Sequence, residues 1–285
     1  MKILSTLAAT LCIVLAAAVV AVLVNRYRFR ALIAEEVTGL LSGATTAIGP
    51  DQVAQRWNGL PAPVRRYLRF AISPAAPAIR TLRLQHTGSI RTAPDSRWLP
   101  LEGAEYFAVA QPGFVWHGVA NAAPLAWIEV RDRLLAERGS MLVKLESTLT
   151  LADAQGAEID QGAQLRWLAE AMWFPYGLVG DRIRWEPVSD STARATLLHA
   201  DRPVSLVFEF DGEGKLLRVE GERSRDLGEG KSELTRWRGE CADYREFGGL
   251  RVPTSASASW LLKEGPFEYI RIQVTGLEFN VSTPY

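Results

Sequence analysis

Two cysteines, three histidines and three methionines in 285 residues leave this chain little material for thiol, imidazole or redox chemistry. Cys12 lies in an apolar N-terminal run and Cys241 stands alone in the remainder, so neither an intradomain disulfide nor a thiolate metal site can be assembled. His86, His117 and His199 fall on separate strand-like segments with no carboxylate at ligand spacing. They read as strand-face or core histidines rather than metal ligands or bases, and His117, beside Trp116, is the one best placed to do more. The HExxH and GxSxG signatures are missing as well. "GEGKS" (228–232) imitates the end of a phosphate-binding loop, but that motif needs Gly five positions before Gly230, where Arg225 stands. Neither a metal nor a cofactor is expected, and no catalytic residue can be assigned.

Charge is absent from one stretch and balanced elsewhere. Ile3 to Val24 holds no charged residue, and some twenty mostly apolar residues at ~1.5 Å rise cross a ~30 Å hydrocarbon core. A cleaved signal peptide is the rival reading, with Ala16-Ala17-Ala18 as its small-residue site, but the apolar run continues past that site to Val24. A retained single-pass anchor over residues 1–30 is therefore expected. Leu11 before Cys12 is too large for a lipoprotein site. Arg26, Arg28 and Arg30 after the span favour a cytoplasmic C-terminal side, which an extracytoplasmic function would overrule, so the side stays open. The first thirty residues contain no acid and four of the 32 basic residues, so the rest carries 28 Lys and Arg against 32 Asp and Glu. A mildly acidic domain without a basic block has no footprint for nucleic acid.

Residues 31–49 read as a juxtamembrane helix and a "GATTAIG" link, and residues 50–285 as a single β-rich domain. "PDQVAQRW" and "PAPVRRYLRFAI" open it as two short helices with Pro near their starts. After "SPAAPA" (73–78) the apolar period becomes twofold. In "VSLVFEF", Val204, Leu206, Phe208 and Phe210 face one way and Ser205, Val207 and Glu209 the other, the mark of a strand buried on one face. "FDGEGK" and "EFGGLR" are hairpin turns. No βαβ spacing exists, so the expectation is about ten antiparallel strands curled into a half-barrel or open barrel around a central helix near 160–174.

That helix carries the candidate site. In "LRWLAEAMWF" (165–174), Leu165, Leu168, Ala169 and Met172 form one apolar stripe, while Trp167, Glu170, Trp173 and Phe174 form a second side. A carboxylate among rings must find a cation or take a proton, and Arg166, Arg182 or Arg184 can supply the charge. Glu170 is then either half of a structural Arg–Glu pair or a ligand-handling acid. With Trp116, His117, Trp167 and Trp173 it makes the candidate ligand-binding set. Glu102, Glu105 and Glu129 lie in candidate strands and could face a common groove.

Five blocks together, "LPAPVRRYL" (60–68), "PGFVW" (112–116), "LAEAMWFP" (168–175), "VSLVFEFD" (204–211) and "DYREFGGLRVPT" (243–254), resemble an uncharacterised bacterial family of membrane-anchored proteins with a domain of unknown function. The meander interrupted by a helix is more loosely similar to half-barrel lipoprotein-carrier and lipoprotein-sorting folds, which hold acyl chains in the groove. The resemblance implies lipid handling at one membrane, since a lipobox is lacking and a membrane helix is kept. Two functions follow: a non-catalytic module binding a lipid or other apolar ligand between sheet and helix, or a hydrolase whose carboxylates, with or without a histidine, gather in that groove. A solid interior would leave a structural role.

Overall fold

The computed structural model describes residues 2–198, 202–228 and 231–285; His199 and the middle of "GEGKS" lie outside them. Helix α1 (Lys2–Gly43) is continuous, with no break at residue 30, and is followed by α2 (Pro50–Arg56) and α3 (Ala62–Ala71). Thirteen strands follow among the described residues, rather than about ten. They are β1 (Thr81–Ile90), β2 (Leu99–Ala108), β3 (Gly113–Ala123), β4 (Ala126–Leu135), β5 (Arg138–Leu145), β6 (Leu149–Gln155), β7 (Ile183–Pro187), β8 (Thr192–Leu197), β9 (Val204–Phe210), β10 (Leu216–Gly228), β11 (Lys231–Phe247), β12 (Leu250–Leu262) and β13 (Gly265–Phe279). Helix α4 (Ala157–Glu170) lies between β6 and β7. The strands form one sheet in the order β6-β5-β4-β3-β2-β1-β13-β12-β11-β10-β9-β8-β7. Each neighbouring pair is antiparallel, and β1 closes on β13 in the middle of the sheet.

The two sheet edges, β6 and β7, are joined by α4, which crosses the concave face and touches β5, β9 and β10. The helix can approach because the second residue of β5 is Gly139, where a Cβ would meet the Ile159 carbonyl at 2.5 Å. The helix stops earlier than the apolar pattern suggests. Pro175 disfavours helical backbone at Phe174, and the chain tightens into 3-10 turns at Ala171–Trp173 and Pro175–Val179. Trp173 and Phe174 therefore leave the α4 surface and pack deeper, with Phe107 ringed by Phe114, Trp173 and Phe174 at 4.9–6.3 Å between centroids. The turns at "FDGEGK" and "EFGGLR" place Gly214, Gly248 and Gly249 at positive φ, as a hairpin requires.

The convex face has its own cover. Phe29, Ile33, Val37, Leu40 and Leu41 of α1 recur at helical spacing and bury against Tyr106, Ala108 and Val115, each contributing about 1.5–3 kcal/mol. The first half of α1 is exposed: its most apolar window has a mean hydropathy of 3.0 with no residue buried, and it is long and apolar enough to cross a membrane. At the changeover, Asn25 donates to the Thr148 hydroxyl at 3.3 Å and the Arg26 guanidinium lies 4.8 Å from the Trp127 ring. The β3–β4 and β5–β6 turns are thus level with the end of the apolar segment. Leu125 in the first of these turns and Leu149, the first residue after the second, are exposed.

Candidate functional site

Two zones divide the concave face. Where β1, β3 and β5 begin, α4 and the 3-10 turns cover the sheet, and Leu82, Leu84, Phe107, Phe114 and Leu134 are fully buried. A crevice there, between Pro112, Leu134, Gln164 and Leu198, measures about 10 Å³, about the least that holds one water. Toward the opposite ends of the same strands the cover gives out. Ile90, Leu99, Ile128, Val130, Trp260 and Ile270 are only half-buried, although their register puts them on the same concave side. Val143 and Leu145, paired with Val130 and Ile128, extend this apolar rim onto β5.

A charged cluster marks the boundary between the zones. Arg166 reaches Glu170 through Nε at 2.8 Å, Asp132 through Nη1 at 2.8 Å and Glu105 through Nη2 at 2.7 Å. Its guanidinium carbon lies 4.9 and 5.0 Å from the ring centres of Phe114 and Trp116. Burial pushes the Glu105 carboxyl well above the usual range, and burial raises Glu170 too, against the pull of Arg166 on both. Burial alone would weaken Arg166's hold on its proton, but the three carboxylates more than offset it. Glu105 Oε2 and Glu170 Oε2 are buried without a donor of their own, and one proton shared between the two carboxyls satisfies both.

Beside it, Trp116 Nε1 donates to His86 Nε2 at 2.9 Å. The indole lies flat over Gly118, where any Cβ would collide with the ring. Burial, with Arg166 nearby, lowers His86 to about 4, so the ring is a neutral acceptor.

The five candidate residues part company. Trp116 and Glu170 meet at Arg166. Glu170 takes its cation from Arg166 on its own helix, while Arg182 pairs with Glu137 and Arg184 is exposed. Trp167 and Trp173 are sealed in the covered zone, their indole N–H groups held by the Ala108 and Pro253 carbonyls, each at 3.1 Å. His117 follows Trp116 directly and so faces the convex side. There it bonds Glu129 Oε1 at 2.7 Å, with Arg30 of α1 at 3.1 Å and the Ser147 hydroxyl on the other oxygen. Burial would raise Glu129, but the hydrogen bonds from His117, Ser147 and Arg30 hold it down at about 2. Glu36 of α1 accepts a hydrogen bond from Arg133 and forms an ion pair with Arg131 alongside. The expected groove of Glu102, Glu105 and Glu129 does not form, because strand alternation sends Glu105 to the concave side and the other two to the convex side. Asp132 and the apolar rim complete the concave site without having been singled out in the sequence. Among the described residues no group of three or more His, Cys, Asp or Glu is arranged to hold a metal ion.

The model of a family of unknown function, DUF6544, matches residues 52–272. No curated protein matches the sequence. Among solved structures the chain is similar to a putative outer membrane lipoprotein-sorting protein domain from Vibrio parahaemolyticus, with 9% identity, 82% of this chain and 93% of that chain covered, and a TM-score of 0.39. A LolA superfamily protein from Nitrosomonas europaea gives 11% identity, 76% and 91% coverage and a TM-score of 0.34. A β-barrel-like protein of the domain of unknown function DUF1849 from Brucella abortus gives 8%, 72%, 99% and 0.24.

Proposed function

The chain belongs to DUF6544, a family of unknown function, and from its geometry we propose that it is a membrane-anchored, non-catalytic module that takes a lipid or acyl chain on the open end of its concave face. The observation that carries this reading is the rim of half-buried apolar side chains around Ile90, Ile128, Val130, Trp260 and Ile270. Contiguous apolar surface left open to water favours an apolar occupant, by ~25 cal/mol for each Å² covered. Position supports it as well. The open end is the end at which α1 changes from bare apolar helix to docked helix, so a spanning α1 would hold the rim next to the bilayer surface.

The alternative, a carboxylate hydrolase, draws on the raised Glu105 and Glu170 carboxyls. Arg166 occupies all three acids, Glu105 has no exposed surface, and burial pushes the Cys241 thiol up to about 12. A charged, fully engaged cluster fits a rigid floor for the groove better than a proton relay. Lipid extraction and mass spectrometry of the full-length protein, purified in a mild detergent, test the reading. One bound amphiphile per chain is expected, lost in Ile128→Glu and Ile270→Glu variants that still unfold cooperatively. Chains free of amphiphile, or variants that retain it, would reject the groove.

A further inference from the structure

Arginines are numerous on β10 and β11, and four of them are matched to acids: Arg218 to Glu209, Arg225 to Glu233, and Arg236 and Arg238 to Glu220. Arg223 differs. Its register, in phase with Val219 and Gly221 opposite Gly239 and Trp237, puts it on the concave side. No carboxylate lies within ion-pair distance of it among the described residues. Glu158, one turn before Gly162 on α4, accepts from the Ser224 hydroxyl at 3.2 Å instead. The guanidinium carbon sits 5.3 Å from the Trp237 ring centre and 6.0 Å from that of Trp260. One N–H group, on Nη2, is used on the Gly162 carbonyl at 3.3 Å, while Nε is buried with no acceptor.

A guanidinium cannot discard its proton, and its forked N–H groups match the paired oxygens of a carboxylate or phosphate. Two indoles shield this one from water, which strengthens its pull on an anion. Trp260 is shared: it flanks Arg223 and also belongs to the apolar rim, stacked on Tyr269 at 6.0 Å. We propose that Arg223 with Trp237 and Trp260 forms an anion subsite at one side of the groove, so that the ligand class is an amphiphile with a carboxylate or phosphate head and an acyl tail along the rim. This rests on the groove reading given above and specifies its ligand.

The test is equilibrium binding of radiolabelled laurate, dodecyl phosphate, dodecanol and inorganic phosphate to the full-length protein in zwitterionic nanodiscs, with empty discs as reference. The two anionic amphiphiles should bind about tenfold or more tighter than dodecanol, as a charged hydrogen bond at a shielded site implies. Arg223→Gln should bring them down to the dodecanol level and leave dodecanol unchanged, and Arg223→Lys should recover part of the preference. A wild-type protein indifferent to head charge, or a preference that survives Arg223→Gln, overturns the subsite while the groove stands. Inorganic phosphate binding as tightly as dodecyl phosphate also overturns it, since the site would then hold a free anion. If no tailed molecule binds above the empty discs, the groove reading fails and the subsite with it.

Discussion

Arg166 answers three carboxylates with one guanidinium, and each substitution there has a cost set by what it strands. Arg166→Met should destabilise by about 3–5 kcal/mol, because it leaves buried acids unpaired. Glu170→Gln should cost less than Glu170→Ala, since the amide keeps the shape and an acceptor for Arg166, whereas alanine leaves a hole. Thermal unfolding in detergent reads both. The neutral imidazole of His86 gives a pH signature. Folded, the ring stays unprotonated down to about 4; unfolded, it protonates near its ordinary 6.5. Acid therefore favours the unfolded chain: the contribution is full above pH 6.5 and is lost as pH falls to 4. A shift of that size is on the order of 3 kcal/mol. His86→Gln should flatten denaturation midpoints across that window, and a slope unchanged by the substitution would place the titrating group elsewhere.

At the scale of elements, legibility followed the regularity of the side-chain period. Strand β9 could be read residue by residue because its burial alternates without a slip. Strands β5 and β6 left little trace. Their pairing is broken by a bulge at Val143/Lys144, their turn is made by Glu146 and Ser147 at positive φ rather than by glycine, and β6 is an exposed edge. The same alternation contained the floor of the site. Glu105 is in phase with Leu101 and Phe107, and Asp132 with Val130 and Leu134, so an acid in the buried phase of a strand was the available sign. What no period could show is that α4 covers only part of the face, because that depends on where Gly139 lets the helix approach. Gly139→Ala should push α4 off β5 and lower stability by about 1–3 kcal/mol, measured by denaturant titration of the full-length chain.

For the whole molecule, the five sequence blocks that suggested a family all lie within the span that DUF6544 matches. The half-barrel around a helix was legible from the hairpin punctuation, while the separation of His117 from Trp116 onto opposite faces required the strand boundaries. Membrane attachment has a direct measurement. Full-length protein should remain in the membrane fraction through a high-salt wash and be released only by detergent, because salt screens surface charge without extracting a spanning helix.

Helix α1 is one unbroken rod, and the turns that follow its apolar segment are the ones clasped to the convex face through Arg30, Glu36 and the Phe29–Leu41 stripe. A flexible linker of the same ~19 residues would give the domain a reach of about 25 Å around the apolar segment. The docked helix removes that freedom. Anchored in a bilayer, the domain would turn with its helix like a flag on a pole. Its groove would sweep a circle over one leaflet, and a facing membrane would stay out of reach.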